Sequence, residues 1–102
     1  MKWLYRCFDK GEKAIFRVVD NETLIIYLDR RPNNEEVVSI LNETGTFIWQ
    51  LLDGTKTVEE IIKKVCDEFE VSYKKAQKEV INFLSELLKK DLVTISNTLR
   101  KK

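Results

Sequence analysis

The sequence predicts an α+β fold, with a small antiparallel three-stranded sheet followed by three helices. Three observations carry that reading. Apolar residues alternate with a period of two through much of the first forty positions; the period then lengthens to that of a helix after Leu41; and Asn42, Thr57 and Ser72 each stand where a helix needs an N-cap. At 102 residues, 43% of them apolar, the chain has material for a single domain with one modest core. We place that domain at 1–95 and read 96–102 as a basic C-terminal tail.

The strands come first. AIFRVV (14–19) and TLIIYL (23–28) are β-branched and aromatic, and Asp20-Asn21-Glu22 between them suits a short hairpin loop. RRPNNEE breaks the pattern, because Pro32 and two asparagines favour turn geometry. EVVSIL (36–41) resumes as a third strand. WLYRCF (3–8) reads either as a further strand or as an arm packed on the sheet.

The helices follow. Asn42 caps a helix that carries Phe47, Ile48, Leu51 and Leu52 on one face, and Gly54 supplies a left-handed residue to end it. Trp49 lies off the centre of that face, either as a half-buried packing residue or as an exposed contact. Thr57 and Glu60 form the capping box T-x-x-E of a second helix, whose stripe is Val58, Ile61, Ile62, Val65, Cys66 and Phe69. Ser72 opens a third helix with Tyr73, Ala76, Val80, Phe83, Leu84 and Leu87 on one side, widened by Ile81 and Leu88. LVTI (92–95) returns as a short strand. Short helices joined by tight turns and packed on a small sheet describe a winged helix-turn-helix.

Composition narrows the function. No apolar run approaches the roughly 18 residues of a membrane span, and the N-terminus lacks a secretory h-region, so no membrane partner and a cytoplasmic location are expected. There is no histidine, which removes the commonest general base and metal ligand. Cys7 and Cys66 are isolated, and Cys66 on an apolar stripe reads as a buried structural thiol. Phosphate-binding loops and nucleophile elbows are also missing. The expectation is no enzyme, with no catalytic residue, no metal site and no cofactor.

Two binding readings remain. In one, the third helix enters a DNA groove through Lys74, Lys75 and Lys78, as in a small winged-helix DNA-binding regulator. In the other, the edge of strand 36–41 accepts an extended peptide as an added strand. Residues 42–71 carry three basic and seven acidic side chains, which disfavours nucleic acid because phosphate contacts dominate that affinity. A subunit that only stabilises its enzyme is a third option. An unpaired edge strand also leaves a homodimer open.

The order of signals adds to this. Leu41-Asn42, Thr44-Gly45, Asp53-Gly54, Thr57 and Glu60-Ile61, then Leu84, Leu87, Leu92 and Val93, resemble the pattern of the PqqD family, named for a small protein of pyrroloquinoline quinone biosynthesis. The likeness covers about residues 36–95. It implies a winged helix-turn-helix module without chemistry of its own, a recognition element for ribosomally made precursor peptides. Such a module holds the precursor leader peptide as a strand and presents it to a modifying enzyme, often a radical SAM protein. This chain has no fused enzyme, so the resemblance implies a separate one. It places the leader along Glu36, Val37, Val38, Ser39 and Ile40, with Tyr73, Gln77, Val80, Ile81 and Leu84 as groove residues. RRPNNEE is longer and more charged than the turn usual in that family.

Overall fold

The computed structural model describes residues 2–11, 14–27 and 37–95. The expected strands form where their β-branched residues lie. β2 (Ala14–Val19) and β3 (Glu22–Tyr27) make a hairpin that pairs from Ala14↔Tyr27 to Val19↔Glu22. The loop between them is Asp20-Asn21, and Asp20 takes the positive φ of 56° that the tight turn needs. Aspartate tolerates that region better than most residues. β4 (Val37–Leu41) pairs antiparallel with β3, from Thr23↔Leu41 to Tyr27↔Val37, without a bulge. The segment RRPNNEE, with Glu36, lies outside the described residues.

A second antiparallel sheet joins pieces distant in sequence. β1 (Cys7–Lys10) is its centre, flanked by β5 (Asp53–Thr57) and β6 (Val93–Ile95). The N-terminal segment therefore divides into a single-turn 3-10 helix, Lys2–Tyr5, and a strand. The fold is α+β as expected, with two small sheets where one sheet and a terminal strand were expected.

The caps do what their residue types allow. α1 (Glu43–Gln50) starts at Asn42, whose side chain accepts the Gly45 N–H at 2.8 Å. α2 (Val58–Phe69) opens with the full capping box: the Thr57 hydroxyl accepts the Glu60 N–H, and the Glu60 carboxylate accepts the Thr57 N–H. Glu70 ends α2 in the left-handed region. α3 (Tyr73–Lys89) is capped by Ser72, which accepts the Lys75 N–H at 3.2 Å.

The end of α1 departs from expectation. The helix stops at Gln50, with Leu51 as its C-cap, so Gly54 does not terminate it. Gly54 lies instead in β5, at φ 79°, where the β1–β5 register slips between Cys7↔Thr57 and Asp9↔Asp53. Such a bulge commonly uses a left-handed glycine. A Cβ there would also stand 3.2 Å from the Asp9 carboxylate. Next to it, Asp53 accepts both the amide and the hydroxyl of Thr55, at 2.9 and 2.6 Å. Those two bonds, with Lys56 behind them, hold the Asp53 carboxyl well below the usual carboxylate range. Local side-chain bonds of this kind compete with helix and favour the turn.

The core lies between the sheets and the three helices. Phe8, Ile25, Leu52, Ile61, Ile62, Val65, Val80, Leu84 and Leu92 have no exposed surface, and Ile48 almost none. Trp49 joins them, fully buried rather than half-exposed, its ring edge-to-face with Phe16 at 5.4 Å. Its indole Nε1 finds no hydrogen-bond partner among the described residues. The Lys10 ammonium sits 5.6 Å above the indole and donates to the Leu52 carbonyl at 2.8 Å. Burial pulls the Lys10 pKa down despite Asp9 and Asp53 nearby. Of the cysteines, Cys7 is buried and Cys66 only partly so.

Candidate functional site

β4 is an edge strand. The sheet order is β2-β3-β4, so β4 has a strand partner on one side alone among the described residues. Which of its backbone groups face outward follows from the hairpin. A two-residue loop closes on a hydrogen-bonded pair, here Val19↔Glu22. Amide and carbonyl of each residue alternate sides along an antiparallel strand, so Glu22, Leu24 and Ile26 face β2. Thr23, Ile25 and Tyr27 then face β4, where they meet Leu41, Ser39 and Val37. The N–H and C=O groups of Val38 and Ile40 are left pointing to the open side.

Side chains alternate too. Ser39 and Leu41 are buried on the inner face, whereas Ile40 is 69% exposed on the outer one. Thr23, also on the inner face, donates its hydroxyl to Thr46 of α1 at 2.8 Å and ties the sheet to that helix. Lys90, just beyond α3, reaches Ser39 with its ammonium 3.4 Å from the hydroxyl. The C-terminal part of α3 therefore stands beside β4.

A groove of about 380 Å³ runs between α1 and α3 at the end of β4. Its floor is Gly45, Ile48 and Phe83, and its rims are Asn42 and Thr44 on α1's side and Glu79, Asn82 and Glu86 on α3. Gly45 is where strand and helices converge. A Cβ on it would come within 3.1 Å of the Phe83 ring and 3.2 Å of the Leu41 Cβ. The groove exists at this depth because that Cβ is missing. A larger, shallow depression of about 770 Å³ at the start of α2 is lined by Thr55, Lys56, Glu60, Lys63 and Lys64. It is a charged surface in which Lys56 and Lys63 already face Asp53 and Glu59.

The expected site residues are spread out. Val37 and Val38 provide strand backbone, Ser39 the inner face and Ile40 the outer face of the edge; Glu36 lies outside the described residues. On α3, Val80 and Leu84 are fully buried and form the core under the helix. Gln77 and Ile81 are half-buried on the flank opposite Glu79, Phe83 and Glu86, given 100° per helical residue. Tyr73, 39% exposed, stands at the start of α3; burial raises its hydroxyl pKa, with Glu59 the next cause. None of these five α3 residues lines the groove beside β4. Those that do, Glu79, Phe83 and Glu86, form a second helical stripe of a single aromatic among polar neighbours, which the core stripe of α3 masks in the sequence.

Comparisons with known proteins bear on this geometry. The family model described as coenzyme PQQ synthesis protein D (PqqD) matches residues 22–93. The chain belongs to the PqqD family. The matched span holds β3, β4 and all three helices, and so begins earlier than the likeness at about residues 36–95 that the caps and core residues carried. Among solved structures, the chain is similar to "TbiB1 in Complex with the TbiA(beta) Leader Peptide", with a TM-score of 0.73 and 23% identity over 90% of this chain and 99% of that one. That likeness supports the fold. No curated protein matches the sequence. No helix among the described residues is long and apolar enough to cross a membrane, and no group of three or more His, Cys, Asp or Glu among them could hold a metal ion.

Proposed function

We propose that this protein is a non-catalytic adaptor for a ribosomally made precursor peptide, which it binds by the leader segment and presents to a separate modifying enzyme such as a radical SAM protein. The observation that carries the reading is the open β4 edge, with Val38 and Ile40 amides turned outward beside a groove. Membership of the PqqD family and likeness to a protein held with a leader peptide support it. The leader adds as a strand to β4, so main-chain hydrogen bonds supply affinity and the groove between α1 and α3 supplies selectivity. Precursor and adaptor meet in the cytoplasm.

The test uses fluorescence anisotropy with labelled synthetic copies of the N-terminal segments of short peptides encoded beside the gene, and with a random DNA duplex at two salt concentrations. Ile40→Pro removes an outward N–H and should weaken peptide binding at least tenfold while leaving the circular dichroism spectrum unchanged. Val18→Pro is the control, because by the same alternation its N–H faces outward on the opposite edge, at β2; it should bind as wild type. Salt-sensitive DNA binding with no peptide binding would replace the adaptor reading by that of a DNA-binding regulator.

A further inference from the structure

The groove beside β4 carries charge as well as shape. Glu79 and Glu86 stand at its two ends on α3, with Phe83 between them and Ile48 and Gly45 beneath. Neither carboxylate is in an ion pair among the described residues. The nearest lysine on this stripe towards β4, Lys90, is directed at Ser39. The rims opposite, Asn42 and Thr44, are neutral. An apolar floor between two unpaired carboxylates is complementary to an apolar side chain flanked by a cation.

Spacing makes the match more specific. Glu79 and Glu86 are seven residues apart, so their Cα atoms are about 10 Å apart along the helix. A strand added to β4 turns every second side chain to the inner face, and those side chains are roughly 7 Å apart. If one inward side chain fills the floor at Phe83, the next inward one on either side lies within reach of a carboxylate.

Resting on the adaptor reading, we propose that the groove selects leaders in which an apolar residue stands two positions from a lysine or arginine, with Glu79 and Glu86 reading the cation. This assigns the two glutamates as specificity-determining residues of the peptide site. Main-chain pairing along β4 is indifferent to sequence, and the discrimination among peptides sits on α3.

The test does not need the natural leader. A phage-displayed library of random linear dodecapeptides is selected on the wild-type protein, and the most enriched peptide is synthesised and labelled. The expected motif is an apolar residue with lysine or arginine at the second position before or after it. In anisotropy titrations, Glu79→Gln/Glu86→Gln should weaken that peptide about two- to fivefold, the range for the one exposed ion pair its basic residue makes. The loss should shrink at high salt. Replacing the peptide's basic residue by glutamine should cause the same loss, with no further loss on the double variant. The single variants Glu79→Gln and Glu86→Gln provide the same comparison if the double variant folds poorly by circular dichroism. Enriched peptides without a basic bias, or bound equally by the glutamine variants, would overturn the specificity while leaving the adaptor reading in place. Peptides that still bind Ile40→Pro as tightly as wild type would overturn the adaptor reading itself.

Discussion

The two sheets treat their edges in opposite ways. In the sheet built on β1, the outer strands are short or irregular: β6 has three residues, and β5 is the polar, bulged DGTKT. Both are ways of blunting an edge against further pairing. In the sheet of β2, β3 and β4, five and six consecutive pairs run without interruption, and the β4 edge is VVSIL, with no charge and no bulge. Its outer face also leaves Ile15, Val19, Leu24 and Ile40 in solvent. One sheet closes the fold by joining its beginning, middle and end. The other keeps a regular edge with no such blunting.

The contrast can be tested first where it is steepest. Phe8 in β1 is fully buried and edge-to-face with Trp3 at 5.3 Å. Phe8→Ala should cost about 3–5 kcal/mol in urea denaturation, a large part of the stability of so small a domain. A loss under about 1 kcal/mol would mean that the β1 sheet is not part of the core. Gly45→Ala comes next. Its new methyl must displace Phe83 or Leu41, costing about 1–3 kcal/mol, offset by roughly 1 kcal/mol of helix propensity. We expect a net destabilisation of about 1 kcal/mol together with a shallower groove and weaker peptide binding. Unchanged binding would detach Gly45 from the site.

Smaller effects sharpen the same comparison. Asp53, in the blunted edge, has a folded pKa below its unfolded value, so its contribution is present above the unfolded pKa and declines as pH falls through the acid range. Wild type should therefore lose more stability than Asp53→Asn between about pH 5 and pH 3, as read from thermal melts at each pH. Parallel curves would show that the Thr55 bonds do not depend on the charge. Smallest of all, Val19→Thr on the outer face of the open sheet, where Val19 is 56% exposed, should shift stability by no more than about 0.5 kcal/mol. A larger loss would mean that this face is covered in solution.

Legibility in the sequence followed the range of the forces. The caps at Asn42, Thr57 and Ser72 and the strands of the hairpin are local, with signals within a few residues, and they were readable. The β1–β5–β6 sheet was not, because its pairing joins residues some fifty and ninety positions apart and its strands are too short and polar to show alternation. Gly54 was readable as a left-handed residue but not as a bulge, since the partner strand decides that. At the site, the β4 edge was readable from its apolar run. The groove was not, because the core stripe of α3, Ala76, Val80, Leu84 and Leu87, dominates the pattern, whereas the flank of α3 that meets β4 is set by tertiary packing. Trp49 misled for the same reason: its place off the helix stripe does not reveal that Phe16 and Lys10 cover it.

The alternation along β4 has a consequence for how such a module changes over generations. Ser39 and Leu41 answer to the fold, while Val38 and Ile40 offer their backbone outward, and a backbone has no identity to lose. Under the proposed strand pairing, substitutions at Ile40 that keep a strand leave the grip intact, and substitutions at Glu79 or Glu86 alter preference without touching the core. On that proposal, attachment and choice of ligand drift independently, and a duplicated copy acquires a new client through a few changes on one helix flank.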